Sequence, residues 1–277
     1  MLNTSKEKVL GIIAEYNPFH LGHLYHLKKS IENTNAKYTV ILMGGNFTQR
    51  GDCSIINKWA KTSMALQNGA DLVIELPVVY NISSAENFAE GAIKILNELK
   101  IVDYLSFGAE TDDINALIEI SQILFEEPKE FKRVLSNELN KGISFPKARE
   151  IALISFLKNS LKYKDIICSS NNILGIEYLK AIQKYNSNIE PFLIKRLGNN
   201  YNDEIITDNS FASATSIRNM LKNKGILAIK PYIPNVSYNI IEKCINEGQF
   251  VYDISSFDMQ IIYNLRKMSI NEIANLP

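Results

Sequence analysis

The sequence predicts an α/β protein: a parallel sheet with helices on both faces. Five short apolar runs carry that reading: Val9–Ala14, Tyr38–Met43, Asp71–Pro77, Tyr104–Gly108 and Ile189–Arg196. Their length and β-branched content suit strands buried on both sides. Between them lie stretches with apolar residues at helix spacing, and strands alternating with helices imply parallel crossovers. Size is the third observation. With 277 residues, 46% apolar and 22% charged, the chain has a core for one large or two modest domains.

Taken in order, the first run leads into Asn17-Pro18, a turn signal, because proline biases the residue before it away from the helical region. A helix begins at about Leu21, with Leu24, Tyr25, Leu27 and Ile31 at helical spacing. The second run breaks at Gly44-Gly45 into a loop through Gly51. A helix from Lys58 to Asn68 follows, with Gly69 placed as its C-cap. Pro77 ends the third run, and Ser84 caps a helix running to about Leu99. Residues 112–161 hold no convincing strand and read as about three helices punctuated by Pro128 and Pro146. A helix led by Asn171-Asn172 precedes the fifth run, and a polar loop from Gly198 to Asn209 follows it, long enough for a functional segment. Ala212–Leu221 then brings small hydroxyl residues and Arg218 to a helix start, and short helices follow Ser237. Ligands of such sheets bind outside the carboxyl ends of the strands. Here those ends are Glu15-Tyr16-Asn17, Gly44-Gly45-Asn46, Pro77 and Gly108-Ala109-Glu110.

Composition excludes several classes. Thirty basic and thirty acidic residues cancel, so no polyanion partner is announced globally. The cysteines Cys53, Cys168 and Cys244 have neither metal nor redox spacing, which suits a reducing compartment. The polar start before Val9 is no signal peptide, and no stretch is long enough to span a membrane. A cytoplasmic protein is expected.

All three histidines fall within seven positions of Asn17-Pro18-Phe19-His20-Leu21-Gly22-His23-Leu24-Tyr25-His26. His20 and His23 sit at a helix start, three residues apart, where unpaired N–H groups and the dipole favour phosphate. Gly22 lets a ligand approach the backbone. An H-x-x-H-x-x-H array also fits zinc, but no cysteine or carboxylate cluster lies near to complete a site, so no metal site is expected.

The HLGH string resembles the HIGH motif of nucleotidylyl-transferring enzymes, and the longer EYNPFHLGHLYH resembles the tRNA(Met) cytidine acetate ligase family. GGNFTQRG with KWA, DLVIELP, FGAE, NNILGIEYL and SATSIR agree with that family, so the likeness covers nearly all of residues 9–230. It implies a Rossmann-like (HUP-type) nucleotidyltransferase fold with a parallel sheet, a helical insertion and a C-terminal helical extension. The implied divisions are a core in two parts, 1–111 and 166–235, an insertion at 112–165, and a C-terminal helical region starting at 236–277. The implied reaction is activation of acetate by ATP as acetyl-adenylate, then acetyl transfer to N4 of the wobble cytidine of elongator tRNA(Met).

Carried over onto this sequence, the family's ATP site comprises Gly11, Ile12, Ile13, Ala14, Glu15, Tyr16, Asn17, Pro18, Phe19, His20, Leu21, Gly22, His23 and Leu24. Gly108, Asn171, Arg196, Thr215, Ser216 and Arg218 complete it. The implied catalytic pair is His20 and His23, stabilising the departing pyrophosphate. Thr215, Ser216 and Arg218 would hold the outer phosphates. Gly108 also reads as a strand terminator, Asn171 as a helix cap and Arg196 as a surface ion pair. Gly45 and Arg50 are expected in the acetate pocket. Mg²⁺ is expected with the triphosphate, without a dedicated protein cage. Members of the family continue into a further helical region, which bears on whether these residues alone bind tRNA. Between Lys195 and Lys230, six basic residues (Lys195, Arg196, Arg218, Lys222, Lys224, Lys230) face three acidic ones (Asp203, Glu204, Asp208), a local excess for RNA. The alternatives are an adenylyltransferase acting on a small molecule and a regulatory nucleotide binder with a dead site.

Overall fold

The structure, a computed structural model, describes residues 7–157, 160–196 and 211–276. The loop expected from Gly198 to Asn209 lies outside them. In chain order the elements begin β1 (Val9–Ala14), α1 (Leu21–Thr34), β2 (Tyr38–Gly44), α2 (Lys58–Gln67), β3 (Leu72–Leu76), α3 (Val78–Asn81), α4 (Ala85–Glu98) and β4 (Tyr104–Ala109). Five helices follow: α5 (Ile114–Glu126), α6 (Lys129–Asn140), α7 (Phe145–Phe156), α8 (Ser160–Cys168) and α9 (Ser170–Lys184). Then come β5 (Glu190–Lys195), α10 (Ala214–Lys224), α11 (Asn235–Asn246), α12 (Asp258–Lys267) and α13 (Ile270–Ala274).

The five strands form one parallel sheet in the order β3-β2-β1-β4-β5. Its strands are the five apolar runs read from the sequence. Each face carries its own core. Leu42, Leu76, Leu105 and Phe107 pack under α4 (Phe88, Ile93), α5 (Leu117, Ile120) and α9 (Ile176, Leu179). On the opposite face Leu10, Ile12, Ile41 and Met43 pack under α1 (Leu27), α2 (Met64), α10 (Ile217) and α11 (Ile241). Among the described residues no helix is long and apolar enough to cross a membrane.

The caps follow local chemistry. Asn57 caps α2, Ser84 caps α4, Asp113 caps α5 and Ser213 caps α10, each side chain accepting a backbone N–H of the first turn. The cap of α2 at its other end is Asn68, and Gly69, with φ +113, is the residue beyond it. The short helix α3, not expected from sequence, starts directly behind Pro77. It buries Asn81, which donates to the Phe47 carbonyl at 2.6 Å and so ties the loop after β2 to the sheet edge.

Among the described residues two charged side chains, Glu177 and Lys61, are buried. Glu177 of α9, 1% exposed, pairs with Arg149 of α7 and Lys180 of its own helix, each at 2.7 Å. Lys61 of α2 is fully buried. A paired or hydrogen-bonded charge is the only kind such an interior tolerates.

Helix α4 approaches α3 so closely that a Cβ at Gly91 would lie 2.2 Å from Tyr80 Cγ and 2.7 Å from its Cβ. Alanine is the better helix former by about 1 kcal/mol, whereas overpacking a fitted contact costs about 1–3 kcal/mol. Tyr80 cannot yield by turning its ring, because its own Cβ is in the way, so packing wins. Gly91→Ala is expected to lower stability by about 1 kcal/mol in urea denaturation; an unchanged or raised midpoint would refute this packing.

Candidate functional site

The order of the sheet reverses between β1 and β4, the switch point at which α/β sheets leave a crevice. A cavity of about 510 Å³ opens there. The end of β1 supplies Ile12 to Asn17, and the start of α1 supplies His20, Gly22, His23, Tyr25 and His26. The loop after β2 contributes Thr48, Gln49, Arg50, Asp52 and Cys53. From β4 come Phe107 and Gly108, from α9 Ser170, Asn171, Ile173, Leu174 and Tyr178, and from β5 Ile194, Lys195 and Arg196. Ser213, Ala214 and Arg218 close one side, and Tyr252 and Asp253 another.

The histidines build the start of α1. His20 is its N-cap, and its Nδ1 accepts the Gly22 N–H at 3.1 Å. His23, at the third helical position, turns its Nδ1 back to accept the His20 N–H at 3.3 Å. This is a capping box made of two imidazoles instead of a hydroxyl and a carboxylate. The rings stack with centroids 3.7 Å apart and planes 26° from parallel. Gly22 permits it, since a Cβ there would lie 2.9 Å from His20 Cε1. With both Nδ1 atoms accepting, each neutral ring carries its proton on Nε2 and becomes a donor.

His26 is oriented one turn further on. Ser30 Oγ donates to the His26 carbonyl at 2.7 Å, so in its 2.7 Å bond with Ser106 Oγ it must accept. Ser106 has then spent its only proton, so in the 3.2 Å contact it accepts from His26 Nε2–H. The chain of hydroxyls also pins α1 to β4.

All three imidazoles are held neutral. Burial pushes His20 down to about 3, and the guanidinium groups of Arg196 and Arg218 add to it. His26 falls to about 4 through burial and Arg196. His23 lies well below the ordinary value through burial, His20, Arg196 and His26, and the Pro18 carbonyl opposes this. At this end of the cavity neutral donors stand beside fixed cations, an arrangement suited to phosphate oxygens.

Arg218 donates through Nη1 to the Asn17 carbonyl at 2.9 Å and through Nη2 to Thr215 Oγ1 at 3.1 Å. Arg196 lies across Gly108, where a Cβ would come within 3.2 Å of its Cγ. Gly108 is inside β4, so it faces the cavity as part of the strand and does not terminate it. Asn171 is no helix cap: it donates to Glu110 Oε1 at 2.6 Å from the second position of α9. Tyr16 has φ +46, rare for a large side chain, and its buried hydroxyl has no hydrogen-bond partner among the described residues.

Several expected site residues stand elsewhere. Gly11 faces Val102, Phe19 is fully buried in the core, Leu24 packs against that core, and Pro18 and Leu21 are off the cavity wall. Ser216 is buried and donates its N–H to Ser213 Oγ at 3.1 Å, and Thr215 reaches the site only through Arg218. Ser213 and Ala214 occupy the wall in their place. Gly45 lies behind the wall against Glu75, whereas Arg50 is on it. Thr48 and Gln49 lie on the loop through Gly51 that also carries Gly45 and Arg50, expected in the acetate pocket, whereas Tyr178 and Tyr252 were not singled out and carried no signal of their own beyond helix spacing or a loop position. His26 had one, in the histidine triplet. Among the described residues no group of three or more His, Cys, Asp or Glu could hold a metal ion.

The basic strip is partly neutralised. Lys195 pairs with Asp112 at 2.9 Å, and Lys222 pairs with Asp253. Its acidic members Asp203, Glu204 and Asp208 lie outside the described residues.

A model of the HIGH Nucleotidyl Transferase family matches residues 7–277. The chain belongs to this family. It is 50% identical over 259 residues to the tRNA(Met) cytidine acetate ligase of Caldanaerobacter subterraneus subsp. tengcongensis, covering 94% of this chain and 64% of that protein. To the ligase of the same name from Acetivibrio thermocellus it is 47% identical, covering 97% and 65%. Among solved structures, Thermotoga maritima TmcAL bound with alpha-thio ATP superposes with a TM-score of 0.80 at 41% identity, over 88% of this chain and 57% of that one. The apo form gives 0.85 at 40%, over 90% and 60%. The resemblance read from EYNPFHLGHLYH therefore holds, and this chain spans just under two thirds of the length of those two curated relatives.

The depressed histidines make a pH prediction. Their folded values lie below the unfolded value of about 6.5, so below that pH the unfolded chain binds protons that this HIGH-family fold does not. Stability is thus full above about pH 6.5 and falls toward pH 4, by up to about 1.4 kcal/mol per pH unit for each histidine. His26→Asn is expected to flatten that loss in urea denaturation at a series of pH values. Equal slopes for variant and parent would contradict the neutral assignment.

Proposed function

We propose that this chain activates acetate with ATP, forming acetyl-adenylate and pyrophosphate, and passes the acetyl group to N4 of the wobble cytidine of elongator tRNA(Met). The observation that carries the first step is the pair of neutral, Nδ1-accepting imidazoles at the start of α1, with Arg196 and Arg218 beside them. Two Nε2–H donors, a helix N-terminus and two guanidinium groups suit a triphosphate whose charge shifts to the leaving pyrophosphate. The relatives' name and the ATP analogue bound to Thermotoga maritima TmcAL support the same reading.

Each residue has a task. His20 and His23 stabilise charge on the departing phosphates. Arg218, braced by Asn17 and Thr215, and Arg196, beside Gly108, hold the nucleotide. Acetate needs no general base, being ionised at neutral pH. Arg50 on the wall of the loop after β2 is the partner for its carboxylate. Magnesium fits as a companion of the triphosphate, because it keeps most of its waters and asks few ligands of the protein; when bound it neutralises phosphate charge. The relatives' name supports the tRNA step and a cytoplasmic setting. With Lys195 and Lys222 paired, few cations remain for the tRNA backbone, so its binding by these residues is weak and salt-sensitive.

The test is ATP–pyrophosphate exchange with acetate, nicotinate mononucleotide or phosphopantetheine, followed by acetyl transfer to tRNA(Met) at low and moderate salt. Exchange should depend on acetate, and His23→Ala should slow it on the order of 100-fold with the fold intact. Exchange driven by either of the other compounds and not by acetate would assign the site to a small-molecule adenylyltransferase. Stoichiometric zinc bound through the imidazoles of protein purified without added metal would remove them from phosphate chemistry.

A further inference from the structure

Lys61 is completely buried, yet among the described residues no ion pair within hydrogen-bond reach accounts for its charge. Its ammonium donates to the Gly45 carbonyl at 2.7 Å and to Ser54 Oγ at 3.1 Å. Gly45 and Ser54 are the two ends of the loop that follows β2. Inside that loop Ser54 N–H donates to the Asn46 carbonyl, Thr48 N–H to the Asp52 carbonyl, and Phe47 bridges Cys53. The ammonium therefore closes the neck of a narrow loop whose outer part, Thr48 to Cys53, lines the cavity.

The tip of the loop is held from the sheet as well. Glu15, at the end of β1, accepts the Gln49 N–H at 2.7 Å. Glu15 from β1 and Glu75 from β3 are the anions acting on Lys61, and Lys58 of its own helix is bound to Glu75 at 2.6 Å. One buried cation thus satisfies the neck and balances the carboxylate that holds the tip. An apolar side chain of equal length would fill the space and do neither, since it leaves the Gly45 carbonyl with only the longer 3.3 Å bond from Ser54 Oγ and Glu15 without this counter-charge.

We infer that Lys61 is the positioning residue of the acid-binding wall, holding the loop from Gly45 to Ser54 so that Gln49 and Arg50 face the carboxylate substrate. The inference rests on the proposal that this wall receives the acid. Lys61 touches no substrate; it acts through the loop. Burial pushes its pKa down to about 8, opposed by Glu15 and Glu75, so its charge is lost at moderately alkaline pH.

The experiment measures the KM for acetate in ATP–pyrophosphate exchange from about pH 7 to about pH 9.5, and ATP affinity by calorimetry, for the parent, Lys61→Met and Lys61→Arg. Lys61→Met is expected to raise the acetate KM about tenfold or more while ATP affinity stays within about twofold. The parent's acetate KM is expected to climb above about pH 8, and that of Lys61→Arg to stay level. Thermal melts report folding, and Ser54→Ala, which removes one partner at the neck, supplies the same KM-against-affinity comparison if Lys61→Met does not fold. Acetate KM and ATP affinity that shift together, or an acetate KM indifferent to pH and to these variants, would overturn the inference. Exchange by the parent that ignores acetate would instead overturn the reading of the site, and this inference with it.

Discussion

The reciprocal cap between His20 and His23 is the interaction on which the site depends. A helix that begins beneath a strand leaves N–H groups unsatisfied, and most proteins satisfy them with a serine or an aspartate. Here two ring nitrogens do so. The helix start is completed, and each ring is fixed in one tautomer with its N–H on Nε2. A carboxylate cap would complete the helix equally well but would place negative charge where phosphate has to sit. Capping and phosphate chemistry are therefore one arrangement.

The rest of the fold serves this junction. Parallel pairing of β1 with both β2 and β4 brings the ends of three strands to one rim, and the reversal of order opens the crevice between β1 and β4. Distant parts of the chain meet there: Arg218 reaches back 201 residues to the Asn17 carbonyl. The second wall is assembled in the same way. Val251 N–H donates to the Ile55 carbonyl and Phe250 bridges Ile56, which sets Tyr252 and Asp253 beside the loop after β2. Each contact joins distant parts of the chain, so the geometry of the site depends on both cores being intact.

Much of this was legible in the sequence, and the limits have physical causes. Strands buried on both faces are continuous apolar runs, so all five could be read, and Asn17-Pro18 with the histidines marked the turn and the helix start. A contiguous motif does not say which side chains face the ligand, and so Gly11, Phe19 and Leu24 were expected in a site they merely support. Hydroxyls at a helix start look alike in sequence; only the packing of α10 shows that its N-cap Ser213 is on the wall while Ser216, one turn further in, is buried. Lys61 was invisible because a lysine in an amphipathic helix reads as solvent-facing, and only the strand ends packed on it show otherwise. Tyr252 and Asp253 could not be placed, since nothing local to them encodes a partner some two hundred residues earlier.

The most direct test of the account is nitrogen-15 NMR of the imidazoles in histidine-labelled protein, titrated with acid and then with ATP. His20 and His23 are expected to be neutral Nε2–H tautomers at neutral pH, to resist protonation well below about pH 6, and to show their largest ATP-induced changes at Nε2. Either ring titrating near its ordinary value, or carrying its proton on Nδ1, or failing to respond to ATP, would contradict it.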